Sequence, residues 1–175
     1  ILMFKGEVYT GLKAESLEEE DLLFAQDHAS ILSGLYGILR PLDLIRSYRL
    51  EMGTPLKNGF GENLYEFWGN RLSQKINREL ENQEEPVLLN LASDEYFSAL
   101  NPKGIKARIV KCHFKEERGG KLRFITSFGK KARGLMLRYI IKNRIDNPDE
   151  LKGFDYEGYY FNPDHSSGDT WLFSR

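Results

Sequence analysis

The stretch ARIVKCHFKEERGGKLRFITSFGKKARGLMLRYIIKNRI, Ala107 to Ile145, decides the fold class. ARIVKCHFKEE and KLRFITSF read as two strands, and the Arg-Gly-Gly between them is hairpin chemistry. From Ser127 to about Ile145 the spacing becomes helical. At 100° per residue Phe128, Ala132, Leu135, Met136 and Tyr139 form one core-facing stripe. Strands and a helix so close together predict an α/β (mixed α+β) protein, a single compact domain with a mixed sheet flanked by helices.

Before this stretch, VLLNLAS (87–93) is a short run typical of a buried strand, followed by a short helix at 94–100 and a turn at NPKG. Glu62 to Leu80 repeats apolar residues at helical spacing and predicts one helix. Ser16 and Glu19 form a capping box for a helix through Leu32, with Leu22, Leu23, Ala25, Ala29 and Leu32 on its buried face. Residues 2–9 read as a strand already under way, which predicts further residues upstream. The tail GYYFNPDHSSGDTWLFSR reads as a final hairpin.

Bulk properties narrow the function classes. A chain of 175 residues fits one domain, and no apolar run approaches the roughly 20 residues that span a bilayer. A single cysteine, Cys112, excludes an internal disulfide and points to a reducing compartment, read as the cytoplasm. His28, His113 and His165 stand far apart along the chain and no spacing resembles a zinc site, and neither a dinucleotide nor a Walker-type phosphate loop is present. No cofactor and no metal are therefore expected.

The net charge of −1 conceals an uneven distribution, because Lys103 to Arg144 holds fourteen cations against Glu116 and Glu117. On the helix, Lys131, Arg138 and Lys142 share one flank, and Lys130, Arg133 and Arg144 the other. Either this is a solvated surface helix or it presents cations to a polyanion. The absence of any acid from Ser127 to Ile145 favours the second. Gly134 would let another backbone come close.

Two further constellations stand out. In GLYGILRPLDLIRSYRLEMG, Gly34 to Gly53, Pro41 forces a turn after Arg40, and Asp43, Arg46, Arg49 and Glu51 can form an ion network that fixes guanidinium directions. In NLASDEYFSAL, Asp94 and Glu95 serve either as acid–base groups or, with Ser93, as a helix cap.

FKGEVYTGL, LSGLYGILRPLDLIRSYRLEMG, NLASDEYF, KKARGLMLRYIIKNR and GFDYEGYYF, in that order, resemble the YaaA family of bacterial peroxide-stress proteins. The resemblance covers nearly the whole chain and lacks only the family's N-terminal segment with its Ser-Pro-Ala-Lys motif. It implies an unusual α/β fold with a helix-hairpin-helix element. It also implies a cytoplasmic protein that limits free iron and oxidative DNA damage, and binds double-stranded DNA through a basic cleft. On family motif positions, Arg40, Arg46, Arg49, Lys130, Lys131, Arg133 and Arg138 are the cleft candidates, with Lys142 beside them. The alternative is an enzyme acting on a phosphate- or carboxylate-bearing small molecule, with Arg40 and Arg49 as the clamp and Glu51, Asp94 or Glu95 doing proton work. Direct iron binding has no ligand pattern behind it.

Overall fold

The computed structural model describes residues 1–175 and shows the expected mixed α/β class. The chain forms two compact units. The first comprises chiefly Gln26–Leu88 and Ala92–Arg108; the second comprises Leu2–Ala25, Leu89–Leu91 and Ile109–Arg175.

The second unit is built on strands β4 (Arg108–Arg118), β5 (Lys121–Arg123), β6 (Tyr160–Phe161) and β7 (Thr170–Ser174). β4 pairs in parallel with β7, placing Cys112 beside Trp171 and Phe114 beside Phe173. β5 and β6 are antiparallel to β4 and β7 respectively, so the expected hairpins at Gly119-Gly120 and in the tail both form. Of β3 (Val87–Asn90), Leu89 and Asn90 belong to this unit and stand at its edge next to β4. β4 alternates as a half-buried strand should: Val110, Cys112, Phe114 and Glu116 face the core, while Lys111 and His113 face water. Its core is aromatic, with Phe114 stacked on Phe173 at 5.6 Å and edge-on to Tyr159 at the same separation.

Helix α6 (Thr126–Asn143) buries Ala132, Leu135 and Met136 as its stripe predicts, and Gly129, Gly134 and Ile141 besides. Residues 2–9, expected as a strand, instead lead into helix α1 (Glu7–Leu12), entered through Gly6 at φ 116°. Six residues cannot sustain a helix alone. Here α1 is held by packing against α6, where Gly11 and Gly134 let the two backbones touch.

Helix α2 (Glu19–His28) begins differently from the expected box. Ser16 lies in a preceding 3-10 turn with its hydroxyl on the Lys13 carbonyl. The Glu18 N–H donates instead to the Asp21 carboxylate, at 3.1 Å. Asp21 and Ala25 are the buried residues of this helix, and Leu23 is exposed.

In the first unit, β1 (Ile31–Ser33) and β2 (Gly37–Leu39) pair as a hairpin, so Ile31 and Leu32 belong to a strand and not to the helix expected through Leu32, and β2 lies within the stretch from Gly34 to Gly53. A β-carbon on Gly37 would meet the Trp68 ring at 2.9 Å, so glycine alone lets that ring cover the hairpin. The single helix expected over 62–80 is two, α3 (Leu64–Trp68) and α4 (Arg71–Glu79). Gly69 breaks it by adopting φ 50°, a left-handed turn that an L-residue resists. Helix α5 (Asp94–Ser98) has Ser93 at its N-cap position but makes no side-chain capping bond.

Candidate functional site

Most of the α6 cations predicted to face a polyanion are already engaged inside the second unit. Lys142 and Arg144 each lie 2.8 Å from a different oxygen of Asp21, whose side chain is only 4% exposed. These bonds hold the Asp21 carboxyl at about 2, with the Lys142 hydrogen bond the largest cause, burial opposing it and Arg144 assisting. Arg144 ends the helix at φ 52° and also bonds back to the Ile141 carbonyl. Arg138 donates to the Leu12 and Lys13 carbonyls at 3.0 and 3.2 Å and to the Ser16 hydroxyl at 2.9 Å. Lys131 pairs with Glu157 at 2.6 Å, and its hydrogen bond holds that carboxyl below its ordinary range. Arg133 is half-buried and Lys130 is exposed.

Glu157 belongs to a larger cluster that the sequence pattern does not reveal. It stands at φ 54°, and its carboxylate also meets Arg175 at 3.3 Å. Arg175 Nε donates to both oxygens of buried Glu116, at 3.1 and 2.9 Å, and the Tyr159 hydroxyl donates to the same carboxylate at 2.6 Å. Burial and that hydrogen bond push Tyr159 well above its ordinary pKa. Burial works against the Arg175 charge, but the bonds to Glu116 leave the guanidinium more basic than usual. The only signal in the sequence is indirect: a helix of cations without acids must find its counter-charges elsewhere in the chain.

The β4–β5 hairpin is different. Arg118, Lys121 and Arg123 are exposed, Lys115 is partly exposed, and no acid side chain pairs with any of them. With Lys130 they make five unpaired cations within 16 residues. Of the two acids in this run, Glu116 is taken by Arg175 and only Glu117 faces solvent.

In the first unit the structure brings together parts of the two other constellations. Ser33 Oγ accepts the Leu35 and Tyr36 N–H groups at 3.2 and 2.9 Å and shares a hydrogen with the Tyr48 hydroxyl at 2.5 Å. The Tyr36 hydroxyl accepts the Arg46 N–H at 3.3 Å, so these two tyrosines pin the strap that carries the arginines. The expected four-membered ion network is two separate pairs: Arg49 with Glu51 at 3.4 Å, and Arg40 with Asp43 at 3.9 Å. Asp43 faces Arg40 because its carboxylate also accepts the Arg40 N–H, closing the turn at Pro41. Arg46 is exposed with no acid partner, and Arg49 is 92% exposed.

Glu95 reaches back to the same strap, where Oε1 accepts the Gly53 N–H at 2.8 Å. Tyr65 donates to the Glu95 carbonyl at 3.1 Å. Burial first, and then the Glu95 charge, raise the pKa of both Tyr65 and Tyr96. Asp94 is exposed in the first turn of α5. Two open hollows lie in this unit, one of about 330 Å³ beside Tyr65, Asn70 and Asn101, the other of about 650 Å³ beside Arg78 and Lys106. Neither is lined by Arg40, Glu51 or Asp94. No helix is long and apolar enough to cross a membrane.

Residues 1–165 match the family model described as peroxide stress protein YaaA. Two relatives, each called a UPF0246 protein, come from Caulobacter vibrioides strains NA1000 / CB15N and ATCC 19089 / CIP 103742 / CB 15. Each is 54% identical over 175 residues, which is all of this chain and 69% of the relative.

Proposed function

The chain belongs to the YaaA family of peroxide stress proteins, and from that premise we propose that it acts in the cytoplasm by binding double-stranded DNA, so limiting free iron and oxidative DNA damage. The observation that carries the reading is the run of unpaired cations on the β4–β5 hairpin and at the start of α6: Lys115, Arg118, Lys121, Arg123 and Lys130. Cations without internal partners are free to replace the counterions of a phosphate backbone, whereas Arg138 and Lys142 must first give up partners they already hold. A hairpin of lysines and arginines reads backbone charge and position rather than sequence.

The test is binding of a fluorescent duplex across a salt series, with the triple variant Arg118→Glu, Lys121→Glu, Arg123→Glu beside the unaltered protein. The expected result is a steep salt slope that falls by about 0.9 for each phosphate the variant no longer neutralises. A slope and affinity unchanged in the triple variant would remove the hairpin from the interface.

A second reading rests on the strap and α5, where Arg49, Glu51, Gly53, Glu95 and Tyr96 gather. Here the protein is an enzyme on a phosphate- or carboxylate-bearing small molecule, with Arg49 binding the anion and Glu51 or Glu95 moving a proton. A metabolite that raises the melting temperature of the unaltered protein but not of Arg49→Ala supports it; a screen that yields none counts against it.

A further inference from the structure

Phe60 is displayed in a way that folding alone does not explain. The residue is 70% exposed, yet the turn that carries it is tightly tied. Asn58 and Gly61 exchange backbone hydrogen bonds of 2.9 and 3.3 Å, and Asn58 Oδ1 accepts the Phe60 N–H at 2.8 Å. Glu66 fixes the exit from the turn, its oxygens accepting the Glu62 N–H at 3.0 Å and the Asn63 amide at 2.8 Å. A large apolar ring gains little by standing in water, so a rigid loop that holds it there favours a partner over the core.

Arg71 lies against the same group of rings. Its guanidinium carbon is 4.6 Å from the Phe67 centroid, 5.4 Å from Trp68 and 5.5 Å from Phe60. Nε donates to the Trp68 carbonyl at 3.2 Å, which fixes the plane of the group. No carboxylate pairs with it: Glu66, five residues earlier, spends both oxygens on the turn. A flat guanidinium held on aromatic faces, with its terminal nitrogens unclaimed, suits bidentate recognition of a phosphate.

We infer that Phe60 and Arg71 form a binding site for a nucleoside phosphate, the base stacking on the Phe60 ring and the phosphate taking the terminal nitrogens of Arg71. Base–aromatic stacking and arginine–phosphate pairing are each sequence-tolerant interactions, and the two groups stand within the span of one nucleotide. The site involves residues of the first unit alone and does not depend on the hairpin interface. Its ligand is either a free nucleotide or a nucleotide within an unpaired strand, since both offer the same base and phosphate.

The experiment follows the amide resonances of Gly59 and Gly61 and the Arg71 side-chain N–H while adenosine monophosphate, adenosine, inorganic phosphate or a short oligo-dT strand is added. The mononucleotide or the strand is expected to shift all three signals, with adenosine or phosphate alone far weaker. Phe60→Ala and Arg71→Lys are each expected to weaken binding by about tenfold, the second because it keeps the charge and loses the planar fork. Tighter binding by the strand assigns the site to unpaired nucleic acid, and equal or tighter binding by the mononucleotide assigns it to a free nucleotide. Should neither ligand move these signals, or should both variants bind as well as the unaltered protein, Arg71 merely shields ring surface and the inference is overturned. If Arg71→Lys fails to fold, Phe60→Ala decides, because that ring is exposed and contributes little to the core.

Discussion

Gly134 of α6 sits against Val8 of α1 so closely that a β-carbon on it would stand 1.8 Å from the Val8 carbonyl oxygen. The relation is reciprocal, because a β-carbon on Gly11 would stand 2.1 Å from the Lys131 carbonyl oxygen. Backbone meets backbone on both sides, so neither helix can yield by turning a side chain. On helix propensity alone Gly134→Ala should gain about 1 kcal/mol. The overlap should outweigh that gain and leave a net loss of about 2 kcal/mol, a fall in melting temperature of about 4–8 °C for a chain of this size. Gly11→Ala should behave alike. The double variant should cost less than the sum, since helices already pushed apart have room for the second methyl. A higher melting temperature in Gly134→Ala would refute the crossing.

Asp21 ties the end of α6 to α2, and its stability contribution has a defined pH window. The folded carboxyl lies at about 2 and the free one near 3.8. A group whose pKa is depressed on folding stabilises the protein above its unfolded value and loses that effect as pH falls through both. The contribution should therefore be fully present at neutral pH, amount to about 2 kcal/mol, and fade between about pH 4 and pH 2. Urea unfolding of Asp21→Asn should show a clear deficit at pH 7 that shrinks to little at pH 2. A deficit independent of pH would mean that packing, and not the ion pairs, accounts for it.

Cys112 invites a redox role in a peroxide-stress protein, but its surroundings argue against one. It lies on the core face of β4, and burial pushes its thiol up to about 12. The reactive thiolate is then about one part in 10⁵ at neutral pH. Native protein should leave Cys112 unmodified by dilute hydrogen peroxide or a thiol reagent over the time in which denatured protein reacts fully. Mass spectrometry after each exposure reads the outcome, and rapid sulfenic acid formation in the native state would show that β4 opens.

What the sequence disclosed and what it hid divide along the sequence separation of the interacting residues. The α6 stripe and the Gly119-Gly120 hairpin are local patterns, and both were legible. Gly69 was not, because one glycine inside a helical period is compatible with either a continuous helix or a break until Trp68 is placed over Gly37. Residues 2–9 misled because α1 owes its helix to α6, more than a hundred positions away. The cations were legible in sign but not in availability. Arg144 and Asp21 are 123 residues apart, and no local rule pairs them. The strap is a middle case: its turn at Pro41 was readable, its pinning by Tyr36 and Tyr48 was not.

That division gives Arg138 a diagnostic value. Its guanidinium closes three acceptors at once, on Leu12, Lys13 and Ser16, and Lys13 stands at φ 51°, a conformation that needs support. Arg138→Ala leaves those acceptors without their donor and should cost about 2 kcal/mol. Arg138→Lys should recover little of this, since one ammonium cannot reproduce the planar fork. The urea midpoint checks both. In the same preparations, kept where the variants remain folded, affinity for a DNA duplex should change far less than in the triple hairpin variant. The opposite pattern, an unchanged urea midpoint with a large loss of DNA affinity, would mean that Arg138 leaves its partners for a phosphate and that α6 belongs to the interface after all.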